Sequence, residues 1–263
     1  MIDGQRRHVT TMAEVLLSGE GMTVIQAQLG DWDNLNHLLV CENTGSACIV
    51  DPYSGTHWLK ICETNGWNLE SAALTHSHWD HSKGVDSLYG IGIKVWVHDH
   101  ESKRGWTGPD SDRWEHPALT STGFTVGELE FDVHCTPGHT PGHVTLIGNG
   151  VVISGDCLFL GRCGRTDLFG GDVHAMHDSL KYLKSILKEL PVDWLVLPGH
   201  QYSLADGSAP TRLTIGQLLE QNEALRAAGD DDAFHALEFL AFDDSLAVKA
   251  RRENARAERK EQL

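Results

Sequence analysis

Four times in this chain a short apolar, β-rich run ends in a turn that carries a metal-type side chain. They are "SAALTHSHWDH" with His76, His78, Asp80 and His81, "DVHCTPGH" with His139, "VVISGD" with Asp156, and "WLVLPGH" with His200. If these groups form one site, the fold must bring strand ends that are far apart in sequence to a common rim, as rigid scaffolds do when they present ligands. Residues two apart on an extended chain point the same way, so His76, His78 and Asp80 are expected to project from one side of a strand passing into a loop. His81 then adds a donor on the other flank. Imidazole nitrogen and carboxylate oxygen suit zinc, iron and manganese, and five histidines with two aspartates are enough for two adjacent ions.

The rest of the pattern says what surrounds those turns. From Met22 to Val50 the runs "TVIQAQL", "HLLVC" and "ACIVDP", separated by turn residues, predict a meander of strands, and "THWLKICETNGWN" predicts a short helix stopped at Asn65-Gly66. "IKVWVH", "ELEFDVHC", "HVTLIG", "GVVISG" and "DWLVLP" predict further strands. "HDSLKYLKSILKEL" carries Leu180, Leu183, Ile186, Leu187 and Leu190 at helical spacing before Pro191. "HDHESKRGWTGPDSDRWEHP" is polar and reads as a surface loop. Two strand-rich halves, each ending in a helix and a strand, predict an α/β fold of two packed sheets with helices outside. We expect a catalytic domain over 1–202 and a helical extension over 203–263 that covers one face. Its last part, "AVKARRENARAERKEQL", reads as a charged helix or frayed end and leaves room for a homodimer contact.

Composition narrows the partners. A formal net charge of -16 argues against nucleic acid and against anionic membranes, so a small-molecule substrate is expected. No run is long and apolar enough for a membrane span and the start has no signal-peptide pattern, so the cytoplasm is the expected location. The six cysteines include no CxxC pair and read as reduced, buried thiols. His8, His57, His98, His100, His116, His174 and His235 read as ordinary half-buried or surface residues, and Cys157 as a packed small residue rather than a nucleophile.

"THSHWDH" resembles the HxHxDH signature of the metallo-β-lactamase superfamily, and "TPGHTPGH", "SGD" and "LPGH" are similar to its other metal motifs, in the same order, over about Met22 to Tyr202. The resemblance implies an αββα four-layer sandwich. It implies that His76, His78 and His139 hold one metal, that Asp80, His81 and His200 hold the other, and that Asp156 bridges them. Zinc is the first expectation for both ions, with iron or manganese as alternatives. Asp156 and His81 separate the chain from the true β-lactamases.

"DNLNHLL", "GDCLFLGRCGRTDL" and "PGHQYS" resemble the glyoxalase II branch, the hydroxyacylglutathione hydrolases, and the neighbouring persulfide dioxygenases. Tyr202 matches a tyrosine of the glyoxalase II motif and Arg165 stands where that branch has a glutathione-binding lysine. The C-terminal segment lacks the branch's Arg and Lys pattern. The resemblance implies a hydrolase that cleaves a glutathione-type thioester by a hydroxide bridging two metals, with Asp80 as ligand or proton acceptor. The alternatives are a mononuclear-iron persulfide dioxygenase and another hydrolase of the fold, such as a lactonase. Arg162 and Arg165 are expected to offer positive charge to substrate carboxylates, Trp79 to wall the site, and Asp51 and His143 to orient ligands from behind.

Overall fold

A computed structural model of the chain describes residues 13–19, 21–108, 112–240, 248, 249 and 252. The first sheet runs in chain order: β1 (Glu14–Gly19), β2 (Met22–Leu29), β3 (Asn34–Cys41), β4 (Ser46–Val50), β5 (Asn68–Ala73), β6 (Lys94–His98) and β7 (Asp112–Trp114). β1 to β4 pair antiparallel and β4 to β7 parallel. The second sheet contains β8 (Ser121–Val126), β9 (Leu129–Cys135), β10 (Val144–Gly148), β11 (Val151–Gly155), β12 (Leu195–Pro198) and β13 (Leu213–Thr214). Here only β11 and β12 run parallel.

Alternation along the strands builds four layers. Val24 and Leu39 face the second sheet and pack with Val133, Leu146, Ile153 and Leu197. Their neighbours Ile25, Leu38 and Val40 face outward and are covered by Trp58 and Cys62 of α1 (Gly55–Asn65), by Val85 and Leu88 of α3 (Val85–Tyr89), and by Leu74. With both faces covered, these strands read as continuous apolar runs rather than as alternation. α1 is capped by the Ser54 hydroxyl, which accepts from the His57 N–H, and stops at Gly66, whose φ of 73° closes the helix in the left-handed region.

On the other side α4 (Val173–Leu187) lays Met176, Leu180, Leu183 and Leu187 against Ile147, Val152 and Val196 of the second sheet. α5 (Ile215–Gln221), α6 (Glu223–Ala227) and α7 (Asp231–His235) add Leu218, Leu225 and Phe234 to the same cluster. β13 pairs with β12, so a strand of the second sheet comes from beyond Tyr202. Most of the charged tail lies outside the described residues. All six cysteines are buried and unpaired, and among the described residues no helix is long and apolar enough to cross a membrane.

Two local expectations change, and one edge strand lies outside the predicted meander. The segment read as a surface loop contains a 3-10 turn over Asp99–Arg104 and the edge strand β7. β1, also at an edge, is largely exposed and carries little of the apolar pattern that marks a buried strand. After His78 the chain does not stay extended: α2 (Trp79–Ser82) holds Asp80 and His81, so helical geometry rather than strand alternation spreads these two neighbouring donors apart.

Candidate metal centre

The turns that follow β5, β9, β11 and β12 open on one rim, and backbone bonds between the sheets hold them there. Val144 N–H donates to the Thr75 carbonyl and Leu35 N–H to the Gly199 carbonyl, each at 2.8 Å. Gly199 packs so closely that a Cβ would meet Asp156 Oδ1 and His81 Cε1, which explains a glycine beside His200.

Seven side chains converge there. His76, His78 and His139 present donor atoms within 4.8 Å of one another, and so do Asp80, His81 and His200. His78 Nδ1 lies 2.9 Å from His139 Nε2, and His81 Nε2 lies 3.0 Å from His200 Nε2. Asp156 stands between the groups: Oδ2 is 3.5 Å from His139 Nε2 and 3.4 Å from His200 Nε2, and Oδ1 is 3.4 Å from His81 Nε2. Asp80 Oδ2 lies 3.2 Å from His200 Nε2 and accepts from Asn34 Nδ2 at 2.7 Å.

The far sides of the rings show which nitrogens are bare. His200 Nδ1 donates to the Trp32 carbonyl at 2.7 Å, His139 Nδ1 to the Arg165 carbonyl at 2.7 Å, and His81 Nδ1 to Asp51 Oδ2 at 3.0 Å. Each such bond turns the opposite nitrogen towards the centre, where it is a lone pair once any proton it carries has been displaced. Nε2 of His76 and Oδ1 of Asp156 are buried without a hydrogen bond. Lone pairs and carboxylates facing one another at these distances repel unless a cation lies among them, so the donor set fits divalent metal.

Electrostatics divide the cluster. Burial, reinforced by neighbouring imidazoles, holds His76 and His78 well below the usual imidazole range. Burial also lowers His139, although Asp156 opposes it. Burial works against charge on His81 too, yet the carboxylates of Asp156 and Asp51 raise it well above that range. The same contest, with Asp156 and Asp80 prevailing, lifts His200 to about 10. Asp80 falls to about 2, burial being outweighed by His200 and His81.

Asp51 and His143 sit behind the donors. Asp51, at a φ of 53°, accepts from Thr75 N–H and Oγ1 at 2.7 and 2.6 Å as well as from His81. His143 donates through Nδ1 to Thr136 Oγ1, and its Nε2 accepts the N–H groups of Asp156 and Cys157, both at 3.1 Å, which fixes the Asp156 turn. Asp51→Asn is expected to weaken metal binding about 10–100-fold while leaving the fold intact, measured by competition with a chelating dye. An unchanged affinity would show that His81 needs no carboxylate behind it.

A cavity of about 520 Å³ opens over the cluster. His78, Asp80, His139, Asp156 and His200 form its floor, and Arg162, Arg165 and Tyr202 line it. Arg165 forks onto Asp167 at 2.7 and 2.8 Å, so that side chain offers the cavity a neutralised pair, while its carbonyl orients His139. Arg162 donates to the Phe239 carbonyl and lies over the Tyr202 ring, 5.7 Å from its centroid. Trp79 does wall the entrance, 56% exposed and edge-on to Trp32 at 5.9 Å.

Sequence reasoning missed four contributors. Trp32, Phe159 and Arg104 line the cavity, and buried Glu101 accepts from the N–H groups of Ser77 and Gly142 at 2.8 and 2.9 Å, tying together the two loops that carry His78 and His139. No local pattern marks them, because Arg104 and Glu101 belong to a segment that reads as polar surface. Cys157 lies buried against Met176 with its thiol pushed up by burial, as a packed residue would be.

Residues 30–200 match the Metallo-beta-lactamase superfamily. The chain is 34% identical over 207 residues to a hydroxyacylglutathione hydrolase of Pseudomonas fluorescens (strain SBW25), covering 75% of each chain. It is similar to the crystal structure of ETHE1 from Myxococcus xanthus, with a TM-score of 0.68 and 26% identity over 87% of this chain and 98% of that one. It is also similar to TTHA1623 in a di-iron-bound form, with a TM-score of 0.57 and 27% identity over 75% and 98%.

Proposed function

The chain belongs to the metallo-beta-lactamase superfamily and is a metal-dependent hydrolase of glyoxalase II type, and on that premise we propose that it cleaves a glutathione-type thioester. The observation that carries this reading is the seven-residue cluster with Asp156 between its halves, at the floor of a cavity whose walls are aromatic and cationic. His76, His78 and His139 would hold one ion, Asp80, His81 and His200 the other, and Asp156 both. Zinc is the proposed metal. The same donors accept iron or manganese, and the di-iron-bound neighbour supports a pair of ions. When bound, such a pair supplies Lewis acidity and a water-derived nucleophile at neutral pH.

The chain's own residues do the rest. Asp80, ionised at neutral pH and steadied by Asn34, takes the proton of the attacking water. Trp32, Trp79 and Phe159 shield the reacting carbonyl from bulk solvent. A thiolate is a good leaving group, which agrees with a cavity floor that, among the described residues, offers no separate acid beyond the cluster. Arg104, Arg162 and Lys249 line the cavity and give an acidic protein a local attraction for substrate carboxylates.

The deciding experiment is metal content together with a panel of substrates. Two ions held by the seven-residue cluster, counted as the metal bound by wild type beyond that of a variant lacking the cluster's histidines, and release of thiol from S-lactoylglutathione are expected. One iron per chain with oxygen uptake on glutathione persulfide would make the protein a dioxygenase, and turnover of lactones alone would make it a lactonase. Arg104→Ala is expected to raise KM for an anionic thioester about tenfold, the loss of one charge-assisted contact, with kcat within about threefold. A fall in kcat at constant KM would instead make Arg104 a support of the Ser77 loop, whose hydroxyl it contacts at 3.1 Å.

A further inference from the structure

Outside the seven-residue cluster the fold gathers another set of nitrogen and sulfur donors. His98 ends β6, His100 lies in the 3-10 turn that follows, and Cys135 ends β9 of the other sheet, yet their donor atoms all lie within 4.8 Å of one another. The His98 ring packs edge-on to His100 and His116, with centroids 4.9 and 5.1 Å apart. Both ring nitrogens of His116 are shielded from solvent and make no hydrogen bond, with the Val133 backbone near but outside bonding geometry. None of the four residues lines the catalytic cavity.

Imidazoles with a thiol are a zinc-type set, and Zn–N near 2.0–2.1 Å with Zn–S near 2.3 Å sets donors about 3.3–3.8 Å apart around a tetrahedral ion. The donors' outer limit of 4.8 Å stands about 1 Å beyond that spacing, a gap for side-chain rotation to close. His98 is already prepared: its Nε2–H donates to the His116 carbonyl at 3.0 Å, leaving Nδ1 as a lone pair that takes only a 3.2 Å bond from the His100 N–H. Burial holds His98 at about 4, so its ring is unprotonated without metal, while burial pushes the Cys135 thiol up to about 12, so metal must displace that proton as it binds.

We propose that His98, His100 and Cys135, completed by His116, bind one zinc-type divalent ion and clip β6 of the first sheet to β9 of the second. Position gives the clip a consequence. Glu101 follows His100 directly, and its carboxylate ties the Ser77 and Gly142 loops of the catalytic cluster. Fixing His100 fixes that carboxylate.

Cobalt tests this on the full chain, because a thiolate ligand gives a charge-transfer band in the near ultraviolet that nitrogen and oxygen ligands do not. The band is expected in wild type, lost in Cys135→Ala and kept in Cys157→Ala. Cys135→Ala and His100→Gln should each bind one zinc ion fewer than wild type and keep the remainder. Absence of the band, its survival in Cys135→Ala, or a zinc count unchanged in both variants overturns the site. His100 is only half-buried, so its variant decides the count even if Cys135→Ala folds poorly.

Discussion

His78→Ala is expected to lower thioester hydrolysis by about 10³-fold or more and to leave the protein folded with one tightly held metal fewer. His78 is half-buried at the cavity floor and its Nδ1 is aimed at His139 Nε2, so its removal opens one half of the cluster without hollowing the core. The loss of several kcal/mol of transition-state stabilisation, at 1.36 kcal/mol per factor of ten, sets that magnitude. The check is single-substrate kinetics on S-lactoylglutathione beside elemental analysis and a melting curve. Wild-type turnover with one ion missing would mean that the His76, His78 and His139 group is not needed for the reaction, and the two-ion reading would fall.

The second large effect is on metal affinity as pH changes. In the metal-free protein His200, lifted to about 10, and His81, raised well above the imidazole range, both hold protons at neutral pH, whereas His76, His78 and His139 do not. Ligands must shed their protons to bind metal. The three-histidine group is therefore expected to fill with little pH dependence around neutrality. The Asp80, His81 and His200 group should release protons and gain affinity about tenfold per pH unit for each proton displaced, up to about pH 10. Calorimetric titration in buffers of different ionisation enthalpy counts these protons, and two sites with the same flat pH dependence would contradict the division.

Stability follows with the opposite sign when metal is absent. A histidine whose folded value lies above its unfolded 6.5 stabilises the fold fully below 6.5, and that contribution is lost as pH climbs towards about 10. Asp80, with a folded value of about 2, stabilises above its ordinary 3.8 and loses that contribution as pH falls through 2. Metal-free protein should thus weaken towards alkaline pH, where metal-loaded protein holds its ions best.

Much of the site was legible because its signal is local. The candidate donors fall just after four strands, with His76, His78, Asp80 and His81 sharing the first such segment, so a linear reading picks these out together with His139, Asp156 and His200 without knowing where the strands lie. The β2 to β6 and β9 to β12 strands were legible for the same reason, β2 to β4 and β10 to β12 chiefly as apolar runs and β9 as an alternation of apolar and charged residues. Edge strands β1, β7, β8 and β13 were not, because an edge that meets water needs no such run.

By itself the sequence determined which residues are candidate donors and the layered architecture with its longer helices, because these depend on residue type and on spacing within a few positions. Only the tertiary structure decided what stands behind and above the donors. The carbonyls of Trp32 and Arg165 orient His200 and His139, Glu101 ties two ligand loops, Arg104 reaches the cavity, and His98, His100 and Cys135 meet across the sheets. Backbone carbonyls carry no sequence signature, and contacts between the ends of different strands depend on how two sheets twist and stack.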